Sequence, residues 1–406
     1  MSDKSPQIII LRLIELPLKE RPKMRKKLWM WFVCGALAVI PGSCNRETDQ
    51  KTVKIGVMTP LTGEVASWGD MQRKSTELAL DDLKAKGTLD GTRIQVVYED
   101  DTASPKDGVN AFRKLADVDK VPIVVGSPAS TVTLAAAPIA NEKKLVLLSS
   151  GSTATEVANA GPYVFRIMPS DEVQASIMAD WMLELGYKNV AIIYVENAWG
   201  KGLVEQFKTD FVKKGGKILA IESSKPDTSD FRAQLSKLES LTPESIYAPL
   251  YTRGAGLMIR QAREMGFKQQ IFGADVYGTP ELVEAGGDAV NGVLYTTFGQ
   301  NGGTEYQQFT QRYKAKYGRE PETYACYCYD AFLIAVEAIK RIPEGKPKDG
   351  SNIREALLSI KDFQGVTGQT TFDGKNNATG KTFDKLMIID KKHVPFNLNE
   401  WKDRIH

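Results

Sequence analysis

Histidine is almost missing from this chain: His393 and His406 are its only two in 406 residues. Two histidines near the C-terminus leave little for a His-based catalytic centre or a His-rich metal site. Cysteine is scarce as well, at four residues. No Gly-x-Gly-x-x-Gly follows the first strand candidate, and no Walker loop, Gly-x-Ser-x-Gly elbow or His-Glu-x-x-His occurs. Dinucleotide binding, P-loop chemistry, elbow-type serine hydrolysis and zinc peptidase chemistry therefore lack their signatures. The acidic run Glu99-Asp100-Asp101 reads as a capped turn at a strand end rather than a metal site. Charge of one sign is also lacking: 53 Lys and Arg face 50 Asp and Glu, a net +3 too thin for a nucleic-acid surface. The expectation is a chain that is not an enzyme and uses no cofactor, metal or nucleic acid.

What is present is ordinary globular composition, with 42% apolar and 25% charged residues, in a length that suits two domains. The N-terminal stretch stands apart. Residues 1–23 fit no export pattern, and Met24 is a plausible start. Met24-Arg-Lys-Lys27 followed by the apolar run Leu28–Ile40 and Pro41-Gly-Ser-Cys44 reads as a signal peptide over 24–43. Its 13 apolar residues fall short of the ~20 that a spanning helix requires. Cys44, with the polar tether to residue 52, resembles the lipid-accepting cysteine of a bacterial lipobox, although Pro41 stands where Leu is usual. Ordinary cleavage is the alternative. Acyl chains on Cys44 would hold the protein at a membrane surface. Residues 1–44 carry 8 Lys and Arg but only 3 Asp and Glu, so the chain from Cys44 onward is close to neutral, at −2.

From Val53 the chain alternates short β-branched runs with segments of helical periodicity. Strand candidates are Val53–Met58, Ile94–Tyr98, Ile123–Val125 and Leu145–Leu148, then Val190–Tyr194, Lys217–Ile221, Ser245–Ala248 and Gln270–Gly273. Helices are expected between them, one starting at Met71 and another with Ser104 as cap and Pro105 in its first turn. Tyr306–Tyr317, Tyr324–Ile342 and Ile353–Ile360 add further helices, without a fixed-period repeat. Cys326 and Cys328, two apart on a helix, face different ways and read as buried thiols. The pattern predicts two doubly wound α/β units, in which ligands bind beyond the carboxyl ends of the strands. The loops there are Pro60-Leu-Thr-Gly63, Gly126-Ser-Pro-Ala-Ser-Thr131 and Ser149-Ser-Gly-Ser-Thr153. Hydroxyls and unbonded N–H groups at helix starts make an anion site, though any one such loop could be plain capping.

In order and spacing, Lys54-Ile-Gly-Val-Met-Thr-Pro-Leu-Thr-Gly63, Ala66-Ser-Trp-Gly69, Asp100-Asp-Thr-Ala-Ser-Pro105, Gly161-Pro-Tyr-Val-Phe-Arg166 with Pro169-Ser-Asp171, Ile259-Arg-Gln-Ala-Arg263 and Tyr324–Ala331 resemble one family. It is the substrate-binding proteins of branched-chain-amino-acid-type ABC importers, with the type I periplasmic binding fold. The resemblance covers residues 53 to about 395. It implies two Rossmann-like lobes, 53–168 plus 299–375 and 169–298 plus 376–406. Three hinge crossings would join them, near Met168–Asp171, Thr297–Gln300 and Asp373–Ala378.

The resemblance also implies roles. Ser130 and Thr153 match positions that bind a ligand α-carboxylate, and the Gly151 carbonyl one that faces the α-ammonium. Asp275 matches an acidic position that pairs with the ammonium; Tyr251, Trp68, Trp199 and Tyr324 match aromatic pocket positions. Each has a plainer reading: Asp275 as a turn cap, Tyr251 as core, Trp199 as a staple at a helix start. Leucine-type members often carry a disulfide in the first lobe, and the matching positions here are Ala103 and Ala129. The implied protein is a monomer, exported to the periplasm or the outer face of the cell membrane. It would close on an amino acid and deliver it to a membrane permease. A sensor of the same fold for an amide or small organic acid, or an exported hydrolase, are the alternatives.

Overall fold

A computed structural model describes residues 52–87, 91–299 and 302–405. The expected signal peptide, Cys34, Cys44 with its tether, Gln300 and His406 lie outside the described residues. The first run is β1 (Thr52–Thr59), α1 (Ala66–Ala85), β2 (Arg93–Asp100), α2 (Pro105–Arg113), β3 (Ile123–Gly126), α3 (Ser130–Lys143), β4 (Val146–Ser149) and β5 (Val164–Arg166). The second is α4 (Asp171–Glu184), β6 (Asn189–Val195), α5 (Ala198–Lys213), β7 (Lys217–Ser224), α6 (Arg232–Glu239), β8 (Ser245–Tyr247), α7 (Thr252–Glu264), β9 (Gln270–Gly273), α8 (Pro280–Gly286) and β10 (Leu294–Phe298). The remainder is α9 (Thr304–Tyr317), α10 (Thr323–Arg341), α11 (Gly350–Leu358), β11 (Phe363–Gly365), β12 (Gly368–Thr370), β13 (Phe383–Ile389), β14 (Lys392–Pro395) and α12 (Leu398–Ile405).

Two sheets result. The first, of order β2-β1-β3-β4-β5, is all parallel. Its central strands β3 and β4 are buried throughout, as a parallel strand must be when helices cover both faces. The second, β14-β13-β10-β9-β8-β6-β7, is parallel from β10 to β7 and finishes on the antiparallel strands β13 and β14. Each sheet has its own apolar core: Phe165, Phe309, Phe332 and Ile334 belong to the first, Trp181, Phe207, Tyr247 and Phe272 to the second. This is the mixed, doubly wound α/β architecture expected.

The chain passes between the sheets three times: from β5 to α4, from β10 to α9, and from β12 to β13. The last two run side by side, with the Gly299 N–H on the Thr382 carbonyl at 2.8 Å. Before the third passage, Asn377 bridges Arg166 at the end of β5, and the Ala378 N–H reaches the Arg166 carbonyl at 2.9 Å. Residues 376–378 are therefore tied to the first sheet, and pairing with the second begins at Phe383. Among the described residues, no helix is long and apolar enough to cross a membrane.

Candidate functional site

The loops beyond the first sheet are knitted by short polar side chains. At the end of β2, the Asp100 carboxylate accepts from Leu61 N (2.9 Å), Thr62 Oγ1 (2.5 Å) and Thr102 N (2.9 Å), and so shapes the loop after β1. Burial works against its charge, but the Thr62 hydroxyl and the N–H donors prevail and hold its pKa below the ordinary value. Asp101 accepts from Ala103 N at 2.9 Å, so the acidic run shapes a turn, with Asp101 itself fully buried. Gly69 sits against this loop: a Cβ there would lie 2.0 Å from the Pro60 carbonyl oxygen. That close approach seats the first turn of α1 on the loop and fixes Trp68 beside it.

After β3 and β4 the hydroxyls bond to each other's backbones. Ser149 Oγ donates to the Ser127 carbonyl (2.8 Å) and accepts from Ser152 N (2.9 Å). Ser130 Oγ accepts from Ala154 N at 3.2 Å. These bonds hold the first turn of α3, where Val132 N and Thr133 N bond the Ala129 carbonyl at 3.0 and 3.1 Å, next to Gly151 and Thr153.

The second lobe contributes the opposite wall. Asn197 caps α5 by accepting from Gly200 N (2.8 Å), and its amide donates to the Tyr251 hydroxyl at 2.7 Å. Trp199 stacks on Tyr251 with ring centroids 5.7 Å apart. Asp275, in a short turn after β9, is buried, and its Oδ1 has no hydrogen-bond partner. Burial pushes its pKa up to about 6, with Gln174 and Trp199 partly offsetting.

The two walls face one shared cavity. All eight residues expected at the site line it: Trp68, Ser130, Gly151, Thr153, Trp199, Tyr251, Asp275 and Tyr324. Met71, Thr297 and Phe298 add apolar and hydroxyl surface. The lobes are shut over it. Ala198 N donates to Thr131 Oγ1 (3.3 Å), Ser67 Oγ to Glu281 Oε2 (3.0 Å), and Arg253 pairs with Glu64 at 3.1 Å. Such a chamber, with an acid on one lobe, hydroxyls and a helix start on the other and aromatic walls, can hold a small zwitterion out of water.

Sequence reasoning missed Asp171, the first residue of α4. It is fully buried, its N–H bonds the Thr153 carbonyl (2.9 Å), and neither carboxylate oxygen has a partner. Burial first, and the Asp275 charge second, push its pKa well above the ordinary value, with the nearby Thr153 side chain and then Arg166 opposing. An Asp following Ser170 at a helix start reads as a capping residue, which hid it. Cys326 and Cys328 are free and buried. His393 bonds the Tyr295 hydroxyl through Nδ1 at 2.8 Å on the far strand of the second sheet. The described residues hold no cluster of His, Cys, Asp or Glu suited to a metal ion.

Residues 52–387 match a family described as periplasmic binding protein. The leucine-, isoleucine-, valine-, threonine- and alanine-binding protein of Pseudomonas aeruginosa is 27% identical over 371 residues, covering 90% of this chain and 94% of its own. Among solved structures, the leucine-binding protein LivK of Thermotoga maritima is 30% identical with a TM-score of 0.79, over 85% of this chain and 98% of that one. The branched-chain amino acid transporter substrate-binding protein LivJ of Streptococcus pneumoniae, in complex with isoleucine, is 29% identical with a TM-score of 0.78, over 84% and 98%.

Proposed function

The chain belongs to the periplasmic binding protein family, in its branched-chain-amino-acid type, and on that footing we propose that it is the substrate-binding receptor of an ABC importer. It is a binder rather than an enzyme, and it captures an amino acid, branched-chain or related, between its lobes. The observation that carries this reading is Asp275, a dry carboxylate with an unpartnered oxygen in the same cavity as Ser130 and Thr153. The carboxylate takes the α-ammonium. The Ser130 and Thr153 hydroxyls and the N–H groups at the start of α3 take the α-carboxylate, and the Gly151 carbonyl faces the ammonium. Each charge of the zwitterion is then met as it leaves water.

Closure follows from the geometry. An open receptor exposes both walls, and the ligand touches both only when the lobes meet, so binding shifts the population toward the closed form. The lobes rotate about the three passages, the third lying between Ala378 and Phe383, and the closed monomer docks on a membrane permease. Export by residues 24–43 and lipidation of Cys44 place it at the outer face of the cell membrane; Cys44→Ala releases it into the soluble fraction if the anchor exists.

A melting-temperature screen of the twenty amino acids tests the reading, since a ligand that binds only the folded state raises the midpoint. A rise of several degrees with one group of amino acids is expected. No shift with any of them overturns the amino-acid assignment.

A further inference from the structure

Two polar atoms of residues lining the cavity remain unused once the amino-acid headgroup is placed. Oε2 of Glu322 and Oγ1 of Thr279 are both buried without a hydrogen-bond partner. Both residues line the chamber that holds Asp275. They come from opposite lobes: Glu322 immediately precedes α10, and Thr279 immediately precedes α8. Both also border a neighbouring pocket that includes Asp70, Glu284 and Arg319, so they stand at one end of the ligand chamber. The Glu322 side chain is only 10% exposed, and its other oxygen, Oε1, is paired with Arg319 at 3.1 Å.

An orphaned acceptor in a dry site costs free energy until something donates to it. A carboxylate can only accept, whereas a threonine hydroxyl can do either. Arg319 already supplies a positive charge to Glu322, so what is missing at Oε2 is a donor and not a second cation. A group that donates to Glu322 and accepts from Thr279 completes both. A hydroxyl or a primary amide does this; a branched aliphatic side chain leaves both atoms unpaired.

We propose that Glu322 and Thr279 form a side-chain subsite, and that the ligand is an amino acid whose side chain carries a hydroxyl or a primary amide. This rests on the amino-acid reading of the cavity and narrows it. Glu322 and Thr279 act as specificity residues, and Asp275 remains the general amino-acid contact.

Near-isosteric ligand pairs separate the two levels. Threonine differs from valine, and asparagine from leucine, chiefly in polar groups at nearly constant shape. Titration calorimetry of the purified protein with these four is expected to show the polar member of at least one pair binding about tenfold tighter or more, since a site built around a donor rejects the analogue lacking it. Thr279→Val, nearly isosteric, and Glu322→Met should each bring that preference below about threefold by weakening the polar ligand alone. Aliphatic members binding as well or better in both pairs, or a preference unchanged in both variants, overturns the subsite while leaving the amino-acid reading in place. If none of the four binds and the wider amino-acid screen is also flat, the amino-acid reading falls and the subsite with it.

Discussion

Trp68 and Tyr251 meet edge to face across the cleft, with ring centroids 5.1 Å apart and planes at 79°. One ring comes from each lobe, so this contact exists only when the lobes are together. An edge-to-face pair contributes about 0.5–1.5 kcal/mol beyond the area it buries. Trp68→Ala should therefore weaken ligand affinity by about tenfold or more, since it also removes cavity wall. Titration calorimetry reads this directly, with the far-UV spectrum unchanged. Affinity within about twofold of the parent would show that closure does not use the contact.

The ion pair of Glu64 with Arg253 also spans the lobes, at 3.1 Å, but its side chains are 48% and 56% exposed. Exposed pairs contribute about 0–1 kcal/mol and weaken with salt. Glu64→Gln should lower affinity by less than about fivefold, and the difference should vanish near roughly 0.5 M salt. A loss as large as that from Trp68→Ala would mean that charge, not aromatic packing, latches the lobes.

Strands with continuous apolar runs were legible because burial on both faces writes itself into the sequence: Val53–Met58 lies inside β1, and Ile123–Val125 inside β3. Strands β5, β13 and β14 were not. β5 has three residues, and β13 and β14 carry Lys385, Lys392 and His393 as an antiparallel edge, so no periodic signal marks them. Ser104 does stand before Pro105 at the start of α2, but its hydroxyl makes no cap bond, because the turn is held through Asp101 instead. The eight site positions came from family resemblance, and the fold gathers them by putting strand ends of both sheets on one cleft. Asp171, Thr279 and Glu322 escaped because each sits at a helix start, where acids and hydroxyls are commonplace.

Gly151 has no room for a side chain. A Cβ would stand 2.7 Å from Pro128 Cα and 2.9 Å from the Tyr324 ring. Gly151→Ala forces the loops after β3 and β4 apart, at an overpacking cost of about 1–3 kcal/mol. Because those loops carry Ser130 and Thr153, affinity should fall by at least about tenfold, beside a lowered urea midpoint. Unchanged affinity would place the ligand away from this carbonyl.

Asp330 on α10 anchors the β11–β12 hairpin. It accepts from Val366 N (2.9 Å), Thr367 N (2.8 Å) and Thr367 Oγ1 (2.5 Å), and Lys381 Nζ bonds the same threonine at 2.9 Å. Burial pushes the Lys381 ammonium down to about 8, with Asp330 opposing. Asp330→Ala strands these buried donors and leaves Lys381 without its counter-charge, a loss of about 3–5 kcal/mol. Urea unfolding of the free protein measures it; a loss under about 1 kcal/mol would show that the hairpin is held by packing alone.

With Asp275 in the proposed ammonium role, ligand binding acquires a pH dependence whose sign its surroundings fix. Burial raises its pKa from 3.8 to about 6, and it shares its site with Asp171, which is raised further by burial and by the Asp275 charge. In the free protein a raised carboxyl pKa stabilises the fold fully below the ordinary value and loses that contribution as pH rises through about 6. In the proposed role, binding runs the other way, because an ammonium pairs with the ionised carboxylate and a protonated Asp275 must first release its proton. Affinity should be level above roughly pH 7 and fall by up to about tenfold per unit below pH 6. The ligand-induced rise in melting temperature should accordingly be larger at pH 7.5 than at pH 5. Asp275→Asn should abolish most of the binding and flatten what remains, while folding normally. Equal shifts at both pH values, or tight binding by the variant, would remove Asp275 from the ammonium role.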